Sequence, residues 1–211
     1  MKGKLKLISG KRIESPLNPK TRPTSSKVRE AIINIIGNKL EEASWLDLCS
    51  GSGAMACEAL QKGVKRILAI EKQRETAKTC KRNLIEVSNT MDHSIHVEVI
   101  CNELISFLKK GPKNKTIGFT KDFLSPDKKF DFVFLDPPYE SGLYELSQEL
   151  LLSKQWIKKS TILICECSSK SMPRIHNGWK LNKEKFYGNT SLLFLIPNQA
   201  LNCFDDTDSM H

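Results

Sequence analysis

The chain lacks any apolar run of the roughly 18 residues that a membrane helix requires. Its start, MKGKLKLISGKR, lacks the continuous apolar core of a secretion signal. Its seven cysteines form no C-x-x-C pair and no zinc-like spacing with histidine. We therefore expect a reduced, cytoplasmic protein with no membrane partner and no bound metal. The 211 residues are enough for one catalytic domain with its own core.

Positive charge is concentrated at the start of the chain. The net charge is +9, and residues 1–30 carry nine Lys and Arg against two Glu, a local excess of +7. Cations that neutralise phosphates supply most of the sequence-independent affinity for nucleic acids, so this arm favours a polyanionic partner. A solvated tail that only aids solubility would carry the same charge pattern.

Apolar, strand-like runs alternate with helical patterns from Trp45 onward. The runs occupy 45–49, 66–70, 95–100, 130–135 and 161–167, and the helical patterns occupy 54–62, 74–88, 103–109 and 142–153. This alternation predicts a doubly wound α/β sheet of parallel strands. Residues 179–197 predict two more strands joined near Gly188 without a helix between them, and hence an antiparallel edge.

Several segments lie outside this alternation. Residues 1–24 predict a short hairpin around Gly10 and an extended connector, followed by a helix from about 26 to 39. The α/β domain is then expected at 25–197, interrupted by a lysine-rich insertion at 109–129. A polar tail covers 198–211.

A glycine-containing loop follows the first buried strand. Gly51 and Gly53 let backbone amides approach a ligand beside a helix N-terminus, although the same residues also fit the dinucleotide fingerprint. Asp47 would repel a pyrophosphate but suits the ammonium group of S-adenosylmethionine. Glu71 ends the next strand, where a carboxylate can accept both ribose hydroxyls of either cofactor. Asn102 follows the third strand and is placed either to border an adenine or to cap a helix.

The tetrapeptide Asp136-Pro137-Pro138-Tyr139 directly follows the apolar run at 130–135. An amine on a heteroaromatic ring needs acceptors for its N–H groups and a surface that holds the ring flat. Asp136 and the Pro137 carbonyl can accept, and Tyr139 can stack. The motif therefore predicts an S-adenosylmethionine-dependent methyltransferase acting on the exocyclic amine of a nucleic-acid base.

Five blocks together resemble the bacterial 16S ribosomal RNA guanine-N2 methyltransferase family. They are TRPTSSKVREAIINII (21–36), LDLCSGSGAMACEALQKG (46–63), IEK (70–72), FLDPPY (134–139) and KFYGN (185–189). The resemblance runs from about residue 3 to 197. It implies a Rossmann-like, seven-stranded methyltransferase domain with a short N-terminal hairpin. It also implies one guanine of small-subunit ribosomal RNA as the target.

The resemblance also implies which residues form the site. The cofactor would be held by Asp47, Gly51, Gly53, Glu71 and Asn102. The target amine and its base would meet Asp136, Pro137 and Tyr139. Arg22, Thr24 and Arg29 match the family's N-terminal block and are expected to bind substrate. Cys49-Ser50 departs from the family's larger residue and alanine, and the 109–129 insertion is longer and more basic than the family pattern.

We expect direct in-line methyl transfer by a monomer to ribosomal RNA, either naked or within an assembling small subunit. The target guanine must be unpaired or swung out of its stack. Three other interpretations remain open. A DNA or other RNA amino-methyltransferase, acting on adenine N6 or cytosine N4, would share the tetrapeptide. A nicotinamide-dependent oxidoreductase would explain the glycine loop and Glu71 but gives the tetrapeptide no role. A non-catalytic RNA-binding module, derived from a methyltransferase that lost activity, would require damaged motifs, and the sequence shows none.

Overall fold

The structure is a computed structural model and describes residues 3–15, 24–91, 94–112, 129–138 and 142–198. Within these ranges, two strands form an N-terminal hairpin, β1 (Lys4–Lys6) and β2 (Arg12–Glu14). The other strands are β3 (Ser44–Leu48), β4 (Arg66–Glu71), β5 (His96–Cys101), β6 (Phe130–Leu135), β7 (Ile157–Ser168), β8 (Trp179–Tyr187) and β9 (Thr190–Pro197). The α-helices are α1 (Ser26–Ile36), α2 (Ala54–Leu60), α3 (Arg74–Ser88), α4 (Leu104–Lys110) and α5 (Leu143–Ser153).

The described strands β3 to β9 form one seven-stranded sheet in the order β5-β4-β3-β6-β7-β9-β8. Strands β3 to β7 are parallel to one another, whereas β9 runs antiparallel to both β7 and β8. The predicted doubly wound sheet with an antiparallel edge is therefore confirmed, as is the hairpin. The chain order reverses between β3 and β6, and ligands of such sheets bind beyond the carboxyl ends of the strands at this reversal.

Alternate side chains of each strand enter two separate apolar cores, one on each face of the sheet. On the face that we call the hairpin face, the sheet packs against α1, α2, α3 and the hairpin. The opposite face packs against α4 and α5, where Phe107 and Trp156 lie with ring centroids 4.7 Å apart. The loops at the carboxyl ends of the strands are thereby fixed to helices on both sides.

The basic hairpin packs into the core on the hairpin face instead of projecting into solvent. Leu7 and Ile13 are each 2% exposed and pack in the hairpin-face core. The Asn83 side chain on α3 accepts from the Glu14 amide and donates to the carbonyls of Glu14 and Ser52. One side chain thus ties the hairpin to the glycine loop.

Helix α1 ends earlier than the sequence pattern predicts. Ser25 caps its start by accepting from the Val28 amide, as expected for this residue type. Gly37 then adopts a φ of 59°, which ends the α-helix, and Gly37–Leu40 form a 3-10 turn. The predicted end near residue 39 was therefore wrong.

Strand β7 begins four residues before the predicted run at 161–167. Its pairing with β6 shifts register between Phe130 and Phe132, and this irregularity accommodates the extra residues at its start. Most of the insertion (113–128) and all of the tail beyond Asn198 lie outside the described residues. None of the helices in the described ranges is both long and apolar enough to cross a membrane.

Candidate active site

The loop between β3 and α2 combines open space with close packing. Gly51 and Gly53 have φ values of 54° and 76°, in the left-handed region that favours glycine. A Cβ at Gly51 would meet no described atom within 4 Å, whereas one at Gly53 would lie 2.7 Å from Sγ of Cys80 on α3. Gly51 therefore leaves room for a ligand, and Gly53 allows α3 to support the loop.

Asp47 is a buried carboxyl group near this loop. It is 1% exposed, and within the described residues neither of its side-chain oxygens has a hydrogen-bond partner. Burial, and then the charge of Glu71, raise the pKa of Asp47 to about 8, although the nearby Ala56 amide and Trp45 indole lower it in part. A cationic group entering beside Gly51 would provide the missing partner, so the site fits the ammonium of S-adenosylmethionine.

Glu71 lies directly at the glycine loop. One oxygen of its carboxylate accepts from the Gly51 amide at 2.9 Å, and the other accepts from the Gln73 amide at 2.8 Å. The Asn102 amide donates to the Glu71 carbonyl at 3.0 Å, which brings the end of β5 to the same place. Helix α4 is capped by Glu103, which accepts from the Ser106 amide, so Asn102 is not its cap.

Asp136, directly after β6, contacts the end of the N-terminal connector. The Thr24 hydroxyl donates to its carboxylate at 3.2 Å, although the two residues are 112 positions apart. Burial, followed by the charge of Glu166, raises the pKa of Asp136 well above its ordinary value, and the Thr24 hydrogen bond opposes this. Pro137 is buried beside it. Arg22 and Tyr139 lie outside the described residues.

Three neighbouring strands bring carboxyl groups to one face of this edge. Leu135 pairs with Cys165, so Asp136 follows β6 beside Glu166 on β7. Asp47 on β3 pairs with Phe134 and shares the hairpin face with both of them. Glu166 is only 4% exposed. The edge therefore concentrates buried carboxyl groups, which a cationic or N–H-bearing ligand would favour in their ionised form.

Arg29 occupies an interior position behind Thr24. It is 2% exposed, and its Nε donates to the Glu58 carboxylate at 3.1 Å. Its two terminal nitrogens donate to the backbone carbonyls of Thr24 and Lys6, each at 2.7 Å. Burial raises the pKa of Glu58, and the hydrogen bond from Arg29 is the largest opposing effect. Arg29 therefore joins the hairpin, α2 and the connector.

A protein family described as Conserved hypothetical protein 95 matches residues 3–196. The chain belongs to this family. It is 32% identical over 188 residues to ribosomal RNA small subunit methyltransferase D of Buchnera aphidicola subsp. Baizongia pistaciae, covering 86% of each chain. The resemblance found in the motifs is confirmed at the level of the family.

Solved structures agree with this family membership. The Escherichia coli protein yhhF superposes with a TM-score of 0.71 at 25% identity, over 93% of this chain and 99% of that one. An RNA methyltransferase from Salinibacter ruber, solved with S-adenosyl-L-homocysteine, gives 0.56 at 14% identity, over 84% and 95% of the two chains. At 14% identity, the similarity to the Salinibacter ruber protein shows a shared methyltransferase fold and nothing more.

The sequence analysis did not identify three glutamates that lie near the site. Glu58 lies within an otherwise apolar helix, and Glu166 lies within an apolar strand. A charged residue inside such a run indicates a buried partner, and this signal was available. Glu103 carries the weaker signal of a cap. In the described parts of the chain, no group of three or more His, Cys, Asp or Glu is arranged to hold a metal ion.

Proposed function

We propose that this protein is an S-adenosylmethionine-dependent methyltransferase that methylates the exocyclic N2 amine of a guanine in 16S ribosomal RNA. One observation carries the proposal: Asp47, which has no hydrogen-bond partner among the described residues, lies on β3, and the acceptor Asp136 directly follows the adjacent strand β6, where the chain order of the sheet reverses. The relatives' names support ribosomal RNA as the substrate.

Asp47 and Glu71 are the residues best suited to hold S-adenosylmethionine. Asp47 would bind its ammonium group, and the Glu71 carboxylate, now bonded to backbone amides, would accept its ribose hydroxyls. The open space at Gly51 would admit the ligand close to the backbone, and Asn102 would border the adenine. When bound, S-adenosylmethionine supplies a methyl group already activated by its sulfonium.

Asp136 and Pro137 would orient the target amine. The Asp136 carboxylate and the Pro137 carbonyl accept its two N–H groups, which turns the nitrogen lone pair toward the reactive centre. Donation of an N–H to Asp136 also favours its ionised form and so opposes the effect of burial on its pKa. The base must leave its stack to reach this depth, and we assign Tyr139 as the surface on which it stacks.

The N-terminal block would act on the substrate in two ways. Thr24 touches Asp136, and we propose that Thr24 and Arg22 contact the RNA near the target nucleotide. Arg29 is buried, so its contribution is to position Thr24 through the 2.7 Å bond to the Thr24 carbonyl. We propose that the protein acts as a monomer in the cytoplasm on RNA of the small subunit.

Transfer of labelled methyl groups tests the proposal. Purified protein is incubated with labelled S-adenosylmethionine and naked 16S ribosomal RNA, small-subunit particles lacking the modification, or plasmid DNA. We expect label only in the ribosomal substrates, and mass spectrometry of the digested RNA should find N2-methylguanine. Label in adenine N6 or cytosine N4, or binding of NAD in preference to S-adenosylmethionine in calorimetry, would contradict the proposal.

A further inference from the structure

Phe186 is the most exposed large apolar side chain among the described residues. It is 62% exposed, and it stands one residue before the end of β8. Its neighbour Tyr187 packs in part against the hairpin-face core and holds the end of the strand in place. The fold therefore fixes the backbone of Phe186 while leaving its ring in solvent, where a flat ring can stack on it.

Phe186 lies near the carboxyl ends of the parallel strands, the same end of the sheet at which Asp136 lies. Tyr187 pairs with Thr190, which in turn pairs with Ser168 at the end of β7, so β7 and β8 end together. The turn after Tyr187 is tied to β7 by bonds from Ser169 to the Asn189 and Gly188 carbonyls. Three strand spacings separate β6 from β8, or about 14 Å, the length of roughly four stacked nucleotides.

Exposed lysines accompany Phe186 along the same edge strand. Lys183 and Lys185 pair with Phe194 and Leu192, so both project on the hairpin face, while Phe186 projects on the other. Neither lysine forms an ion pair with another described residue. Lys170 is exposed beside the turn. The end of β8 thus offers an aromatic ring on one side and ammonium groups on the other.

We propose that the end of β8 is a docking site for a single-stranded segment of the substrate RNA, in which a base flanking the target nucleotide stacks on Phe186 and phosphates contact Lys183 and Lys185. Bases of any sequence stack on aromatic side chains, and lysines attract the backbone. Lysines along an edge strand oppose pairing with another strand, so the charge pattern disfavours a second copy of the chain as the occupant.

This inference rests on the proposed function for the identity of the RNA. It does not rest on methyl transfer, because RNA binding is measured separately. Variants F186A and F186W and a control, L181A, are compared by titration with a labelled single-stranded oligoribonucleotide of mixed sequence, because stacking on an aromatic ring is sequence-tolerant. Leu181 is exposed to 40% on the same strand but lies toward its opposite end. Affinity for S-adenosylhomocysteine and sedimentation are measured for each variant.

We expect F186A to weaken RNA binding about tenfold or more, with F186W near the wild type and L181A unchanged. The slope of log affinity against log salt should be the same in F186A, because stacking releases no counterions. In K183Q/K185Q it should fall by about 0.7 per lost contact. Affinity for S-adenosylhomocysteine should stay the same throughout.

Unchanged RNA affinity in F186A, or equal weakening by L181A, would overturn the inference. A wild-type dimer that F186A converts to monomer would also overturn it and would assign the ring to a protein interface. Failure of the wild type to methylate ribosomal RNA, with the F186A defect in binding preserved, would contradict the proposed function and leave the docking site supported.

Discussion

Replacing Asp47 by asparagine should change how the stability of the protein depends on pH. The carboxyl has a pKa of about 8 in the fold, against an ordinary value of 3.8. Below pH 3.8 both folded and unfolded chains hold the proton, and the group contributes nothing. Between pH 3.8 and about 8 the unfolded chain releases the proton while the folded chain keeps it. The folded state therefore loses stability as pH rises through this window.

The size of this loss of stability follows from how far the pKa of Asp47 is raised. One pH unit corresponds to about 1.4 kcal/mol, so this group should lower the free energy of unfolding by up to that amount per unit between pH 5 and 8. Summed from pH 3.8 to pH 7, the loss reaches about 4 kcal/mol. The asparagine side chain cannot ionise, so the D47N variant should lack this slope. Its advantage over the wild type should grow steadily with pH.

Urea denaturation at pH 5, 6, 7 and 8 measures both profiles, with E149Q as a control that removes an exposed acid from α5. The same ionisation should control cofactor affinity, because a carboxylate binds ammonium and a carboxylic acid does not. Wild-type affinity for S-adenosylhomocysteine should rise up to about tenfold per pH unit from pH 6 to 8. The affinity of D47N should be low and independent of pH. Parallel stability profiles for wild type and D47N would refute the reasoning.

Three further predictions test other parts of the site. E71A should weaken S-adenosylhomocysteine binding by about 2 kcal/mol through loss of two charge-assisted bonds, and an unchanged titration would remove Glu71 from the site. D136A should slow single-turnover methylation by roughly 100-fold or more, while D136N retains measurable activity as an acceptor; equal loss in both would indicate a general base. R29M should lower the free energy of unfolding by about 3–5 kcal/mol, because it leaves Glu58 buried without its cation. Denaturation of R29M beside R29M/E58Q measures this, and a double variant no more stable than the single one would count against the pairing.

The sheet and the edge that carries the site were predictable because the information is local. Each buried strand is a short apolar run between polar segments, and parallel strands place their carboxyl ends together. That rule alone brings Asp47, Glu71 and Asp136 to one edge. The antiparallel pair was predictable because the sequence between β8 and β9 is too short for a helix.

The supporting contacts were not predictable because their partners are distant in sequence. The pattern of α1 shows only approximately which of its positions face inward, and Arg29 was expected to bind substrate. Its partner Glu58 is 29 residues away on another helix. Glu166 is placed beside Asp136 by strand register, and register depends on the whole sheet.

The position of Asn83 between the hairpin and the glycine loop has a consequence for the order of folding. The hairpin leaves the ribosome before α3, but its bond to Asn83 on that helix spans 69 residues. The contact between Thr24 and Asp136 spans 112. During synthesis the hairpin must therefore remain undocked until α3 has emerged, and the connector until β6 has done so. We expect the newly made chain to acquire a cofactor site before it acquires a site for the base.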